Sequence, residues 1–492
     1  MDGWVVFFIL LAAYLGLTIV LRARLREPKA GFELNGPFVM WRTQLGKRAL
    51  QQVARPARFW NVVADAGIVL TWIVGALIFA LVAFVCIVSI QQAFAAPATT
   101  AASAQPPQYL LGLPGINPLI PVGYGLLAIV LALIIHEGSH GVMAYASRMK
   151  VKSLGLLFFI VPIGAFVEPD EEDLEKSTTR EKNRVFAAGP TSNIVLALVA
   201  GSLLSLVFMG SIAVANDGHG VAIATVEPGS AAEQAGLQKG DIITAIDGKT
   251  VNTRDDYVGD LNNTAAGQQI GIDYLRGGQP HHAEAVLGDR YDYIQRVAPD
   301  QNTDANHGKG FLGISGVPVS AIDAERDVFA RPLGSAANFF AYNFYPLFIF
   351  RGIFADIFAA PYTSLFVIHG PLAALPAPVF FGIAAALYWI VWINVTLATF
   401  NALPMGPLDG GQMFRATLRD RLMRRYRVDP QQVHVERAEL GGLKLSGRDV
   451  ETQQKLDRIN VVVRRTTYTL GFGILALLLV PILVPHVLQL FY

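Results

Sequence analysis

Cysteine is almost absent from this chain of 492 residues, Cys86 being its single example. One cysteine closes no internal disulfide and builds no thiolate zinc site, so any metal must be held by the nine histidines and the carboxylates. Charge is scarce too. Only 16% of residues are charged, 39 basic ones nearly cancel 38 acidic ones, and the formal net charge is +1. That balance argues against a nucleic-acid partner. With 53% hydrophobic residues the composition is not that of a soluble globular protein, and most of the chain is expected in a lipid bilayer.

Long apolar runs stand where charge is missing. Six, near 3–21, 67–90, 122–147, 185–215, 378–404 and 467–490, reach the length of about 20 residues that crosses a bilayer. A seventh, 337–358, contains Arg351 and Asp356 and is expected to lie on the surface or to re-enter. The first run is followed by Arg22, Arg24, Arg26 and Lys29 with no basic residue before it, which predicts a retained anchor and not a cleaved signal. Residues 22–60 carry nine Lys/Arg against two acids and 412–465 carry thirteen, whereas 92–121 carries no charge. Basic loops stay on the cytoplasmic side. The N-terminus and everything from about 217 to 335 are then extracytoplasmic, in a multi-pass protein of the cell membrane.

The 217–335 stretch changes character. Short β-branched runs at 221–226, 242–246, 270–275 and 283–287 predict strands, with Pro228-Gly229, Asp247-Gly248 and Gly277-Gly278 as turns. Ser230 caps a short helix over 230–235, the polar 288–309 reads as a loop, and 310–319 supplies a last strand. Residues 226–250 resemble the core of a PDZ domain, which implies a groove where peptide termini or strands add to a sheet; a ligand-free spacer is the other reading. The predicted fold class is a multi-pass α-helical membrane protein with an inserted α+β PDZ-like domain. Its expected divisions are 1–120 with two spans and a basic loop, 121–216, the PDZ-like 217–320, an amphipathic or re-entrant 321–376, 377–415, a basic cytoplasmic loop 416–465, and a final span in 466–492.

Inside the third run stands His136-Glu137-Gly-Ser-His140, two imidazoles at i and i+4 on one helical face with a carboxylate beside them. Three ionisable groups within five membrane residues call for a task. Catalytic zinc takes three protein ligands and keeps a fourth position open, so a further donor must come from elsewhere. The acidic run Glu168, Asp170, Glu171, Glu172 and Asp173 reads as a solvated rim. The isolated carboxylate of Pro404-Met-Gly-Pro407-Leu-Asp409-Gly-Gly411, where prolines and glycines bend the chain at the end of an apolar helix, is the better donor. His136 lies roughly 21 Å along an inward-running span, past the midplane. Asp409 reaches the same half if 378–404 also runs inward, as the basic residues after it require. The other histidines, His219, His281, His282, His307, His369, His434 and His486, read as surface or packing residues.

These motifs together resemble the site-2 protease family of intramembrane zinc metalloproteases, with Gly189-Pro-Thr-Ser-Asn193 matching that family's G-x-x-x-N element and Asn401…Pro404…Pro407-Leu-Asp409-Gly-Gly its second ligand segment. The resemblance implies one Zn2+ held by His136, His140 and Asp409, Glu137 as general base, and membrane-anchored protein substrates cut within or beside their spans. It also implies that Asn401 steadies the substrate or the developing oxyanion. Asn193 either shares that task or bonds between helices. Residues 155–167, with Pro162 and Gly164 as turn residues, read as a membrane-embedded hairpin whose edge can pair with an unwound substrate, or as packing filler. Two further readings stay open on the residues, a non-catalytic PDZ-bearing adaptor and a metal-ion transporter. Glu137 between the two histidines favours hydrolysis.

Overall fold

The computed structural model describes residues 32–35, 38–102, 114–115, 117–159, 161–299, 302–350, 356–428 and 447–491, with positions 12, 14, 16 and 18. The 3–21 run, apart from those four positions, lies outside the described residues, as do Arg22, Arg24, Arg26, Lys29, Arg351 and His434.

Among the described residues five helices are long and apolar enough to cross a membrane, at Ala57–Ala95, Val122–Ala146, Thr179–Ser211, Ala377–Asn401 and Glu451–Leu488. We label the helices that build the site α1 (Ala57–Ala95), α2 (Val122–Ala146), α3 (Thr179–Ser202), α4 (Ala377–Asn401), α5 (Asp409–Arg425) and α6 (Gly447–Leu488). Helix α3 loosens into a π turn over Leu203–Phe208. The helix Ala336–Phe350 runs up to the last described residue before 351 and carries Pro346 within it.

The chain divides into two compact units, 1–198 with 390–492, and 199–389, with the divisions falling inside α3 and α4. In the first unit a small-residue stripe on α1, Ala64, Gly67, Thr71 and Gly75, is buried. The rest of that helix shows large apolar side chains such as Val62, Leu77 and Phe84 to the outside, as a lipid-facing helix does. Asp65 near its start takes two-pronged bonds from Arg180 (3.0 and 2.6 Å) and Arg184 (2.7 and 2.7 Å) of α3. Met143, Ala144, Ala146, Val151, Val185 and Ala188 form the core behind the site, with Trp60, Leu154 and Val167 packed against it.

The expected hairpin is part of a larger sheet. Strands β1 (Phe32–Asn35), β2 (Phe38–Thr43), β3 (Val151–Phe159) and β4 (Val161–Pro169) pair in that order, all antiparallel. Pro162 and Gly164 are not in its turn: they sit within β4, opposite Phe158 and Leu157. β4 is the edge strand, where a residue without an N–H is tolerated. Arg42 of β2 ties the sheet together by bonding Glu33, Ser153 and Glu168.

The second unit holds the PDZ-like domain. Strands β5 (Val221–Val226), β6 (Ile242–Ile246), β7 (Gln269–Arg276), β8 (Gln279–Val286) and β9 (Ile314–Pro318) form an antiparallel sheet in the order β8-β7-β6-β5-β9. Val221, Ile223, Ile243, Ile246, Ile270, Ile272 and Leu312 fill its core. Ser230 caps the helix Ala231–Gln234 through the Glu233 N–H at 3.3 Å. Two helices stand where none was expected. Thr253 and Asp256 form a capping box for Arg254–Asn262, and Arg290–Val297 occupies part of the stretch read as loop, capped by Asp289.

Candidate metal centre

His136 and His140 are both buried on α2, four residues apart, with ring centroids separated by 4.9 Å. The carboxylate of Asp409 meets them at the first residue of α5, with Oδ2 3.1 Å from His136 Nε2 and Oδ1 3.5 Å from His140 Nε2. One ligand atom from each residue lies within 4.8 Å of the others. Tetrahedral zinc with bonds near 2.0–2.2 Å needs ligand atoms roughly 3.3 Å apart, so this spacing fits one ion. Asp409 Oδ2 is buried without a hydrogen-bond partner among the described residues, the state of an oxygen placed for a cation.

The close packing of the segment after α4 brings Asp409 there. A Cβ on Gly410 would collide with the Ala402 and Leu403 carbonyls, and one on Gly411 would lie 2.5 Å from the Met405 carbonyl carbon. Only glycines let the start of α5 press against the backbone of 402–406. Asn183 of α3 bonds Thr417 of α5 at 3.0 Å, fixing that helix on the histidine side.

Helix α3 is the template for both imidazoles. Val185, Gly189 and Asn193 recur every four residues and so share a face. His140 Nδ1 lies 2.7 Å from the Val185 carbonyl. That oxygen can only accept, so Nδ1 carries the proton and Nε2 keeps its lone pair toward Asp409. His136 Nδ1 lies 3.1 Å from Asn193 Nδ2, and exchanging the two amide ends, which occupy equivalent positions, puts Oδ1 there as an acceptor. The same tautomer requires the amide oxygen to face the ring, and Asn193 Oδ1 is a buried atom that otherwise lacks a partner. Between these bonds, a Cβ on Gly189 would lie 2.5 Å from Nε2 of each histidine. The bare backbone there keeps room beside both Nε2 atoms.

Glu137 points to the sheet. Its Oε2 accepts the Val167 N–H of β4 at 3.2 Å. Asn193, fully buried, is engaged with His136, and interhelical bonding is the reading its geometry supports. Asn401 is half-buried at the end of α4, where its amide donates to the Leu397 carbonyl at 3.0 Å. The acidic run has other work: Glu168 accepts from Ser153 at 2.6 Å and pairs with Arg42, while Asp170 caps the helix Glu171–Lys176. Sequence reasoning misses Val185, which contributes only a carbonyl, and marks Gly189 only as the first position of the G-x-x-x-N match.

A carboxylate adjoining one of two histidines that can share an ion is the arrangement of metal-dependent peptide hydrolysis. Set among lipid-facing helices, it defines the class of membrane-embedded zinc metalloproteases. Comparison with known proteins carries this to a family. The model of peptidase family M50 matches residues 124–436, more than half of the chain, and the chain belongs to that family, the site-2 protease group; its metal is zinc. An uncharacterised protein of Methanocaldococcus jannaschii is 24% identical over 383 residues, 78% of each chain. The zinc metalloprotease RasP of Shouchella clausii is 29% identical over 46% of this chain and 48% of its own, and a putative zinc metalloprotease of Clostridium perfringens is 26% identical over 59% and 85%. The match thus spans about half the length of RasP.

Proposed function

We propose that in this site-2-protease-like metalloendopeptidase His136, His140 and Asp409 hold the zinc, Glu137 is the general base, and the substrates are membrane-anchored proteins cut within or beside their spans. The observation that carries the assignment is the meeting of the Asp409 carboxylate with both Nε2 atoms across more than 260 residues of sequence. When bound, zinc supplies Lewis acidity at a peptide carbonyl and acidifies water. The chain supplies the rest. Glu137 is anchored through Oε2 by Val167, which leaves Oε1 to take the proton from the attacking water and return it to the leaving amine. Asn193 and the Val185 carbonyl hold the two imidazoles in the tautomer that presents Nε2.

A helical substrate has its carbonyls bonded internally and must unwind before attack. The β4 edge is suited to receive it: Val167 N–H points away from β3 and toward Glu137, so a strand added along that edge passes the base. Asn401, eight residues before Asp409, is the side chain we assign to substrate positioning. The PDZ-like domain captures peptide termini or strands on the extracytoplasmic side, the N-terminus lies on that side too, and the metal centre lies toward the cytoplasm, as the basic loops require.

Glu137→Gln tests the roles. The purified variant should keep its zinc and lose cleavage of a single-span reporter by roughly 100-fold or more, whereas Asp409→Asn should lose zinc as well. Undiminished cleavage by Glu137→Gln would remove it as the base.

A further inference from the structure

A cavity of about 500 Å³ opens beside the metal-carrying turn, between α5 and the last helix. One wall is a single stripe of α6: Arg464, Tyr468, Phe472 and Leu475 stand at i, i+4, i+8 and i+11. The stripe runs roughly 16 Å from a cation at the start of the apolar run into its lipid-facing part, where Tyr468 and Phe472 are 61% and 68% exposed. The opposite wall is Met405, Gly406 and Pro407 with the first turns of α5, ending at Arg415. The cavity is therefore graded, with two guanidiniums, Thr467 and a tyrosine at one end and apolar side chains at the other.

Among the described residues its two guanidiniums are unpaired. On the same helices Arg424 pairs with Asp420 at 3.0 Å and Lys455 with Glu451 at 2.7 Å, while Arg419, Arg421, Arg425, Arg458 and Arg465 have no such partner among the described residues; what sets Arg415 and Arg464 apart is that both line the cavity. Arg415 and Arg464 have no carboxylate or hydrogen-bond partner among the described residues, and no Asp or Glu lines the cavity. We propose that this cavity binds an anionic glycerophospholipid, its phosphate held between Arg415 and Arg464 and an acyl chain laid along Phe472 and Leu475. Guanidinium pairs suit phosphate, and a tyrosine at the headgroup level suits the ester region. A zwitterionic headgroup would bring an ammonium that finds no carboxylate among the described lining residues. Because the wall 405–407 leads directly into Asp409, the lipid packs on the segment that delivers the third metal ligand.

The test is retention of lipid by the full chain, delipidated in neutral detergent and titrated with phosphatidylglycerol, phosphatidylcholine or inorganic phosphate under native mass spectrometry. Phosphatidylglycerol should bind one per chain and be weakened roughly thirtyfold by Arg415→Gln with Arg464→Gln. Removing the same charge by Arg421→Gln with Arg425→Gln, on α5 but outside the cavity, should leave binding unchanged. A photoactivatable phosphatidylglycerol should label 467–475 in the parent protein, a readout that needs no variant to fold. Equal binding of phosphatidylcholine, displacement of the lipid by equimolar inorganic phosphate, the same loss in both double variants, or labelling confined elsewhere would each overturn the proposal.

Discussion

Gly189→Ala is the sharpest perturbation of the metal centre, because it adds one methyl group whose nearest neighbours are the two imidazoles. The new Cβ would stand 2.5 Å from Nε2 of His136 and of His140, roughly 1 Å inside ordinary contact at 3.5–4.0 Å. Relief requires a ring to turn or α3 to back away. Neither is free, since the His140 and His136 Nδ1 atoms are bonded at 2.7 and 3.1 Å to Val185 and Asn193 of the same helix. A shift of that size exceeds by several fold the tolerance of about 0.2 Å on a metal–ligand bond. Disturbing ligand-orienting contacts alone lowers metal affinity about 10- to 100-fold, or ~1.4–2.7 kcal/mol, and the methyl group also invades the ion's own space, so a loss of at least 100-fold is expected. Chelator competition on the purified protein measures it. Alanine raises helix propensity over glycine by about 1 kcal/mol, so circular dichroism should show α3 intact while zinc is lost. Zinc affinity within twofold of the parent would refute the packing argument.

Two further expectations follow from neighbouring contacts. Asn193→Ala should lower zinc affinity about 10- to 100-fold, while Asn193→Asp, which still accepts from His136 Nδ1–H, should restore it; equal affinities in all three proteins would count against the orienting bond. In the PDZ-like domain His282 sits 2.7 Å from Asp273 and 3.2 Å from Glu284, and bonds to Asp273 and then Glu284 hold its imidazolium above the usual histidine range. A raised folded-state pKa contributes stability that is fully present below about pH 6.5 and lost as pH rises through the shifted midpoint. The His282 ring resonances, assigned against His282→Gln, should titrate with a midpoint above 6.5; one at or below that value contradicts the pairing.

The legibility of this site follows the kind of atom each residue contributes. His136, Glu137 and His140 announce themselves because helical spacing is local and ionisable groups are conspicuous in an apolar run. Asp409 is legible for a chemical reason, since two imidazoles leave a zinc position unfilled and the glycines at 410 and 411 mark a close backbone approach. Val185 is nearly silent, because a carbonyl belongs to every residue, and Gly189 shows only as the first position of the G-x-x-x-N match, which does not say that its missing side chain makes room for the two rings. The 185, 189, 193 stripe acquires meaning only when the rings that pack on it are known. The sheet shows the same limit. Its hairpin is read from contiguous residues, but β2 pairs with β3 across more than 100 positions, and one short apolar stretch inside a basic loop gives no local sign of its partner. Pro162 misled because a proline suggests a turn wherever the neighbouring chain is unknown. On an edge strand its missing N–H costs the sheet nothing, and that free edge is the one that carries Val167 to Glu137.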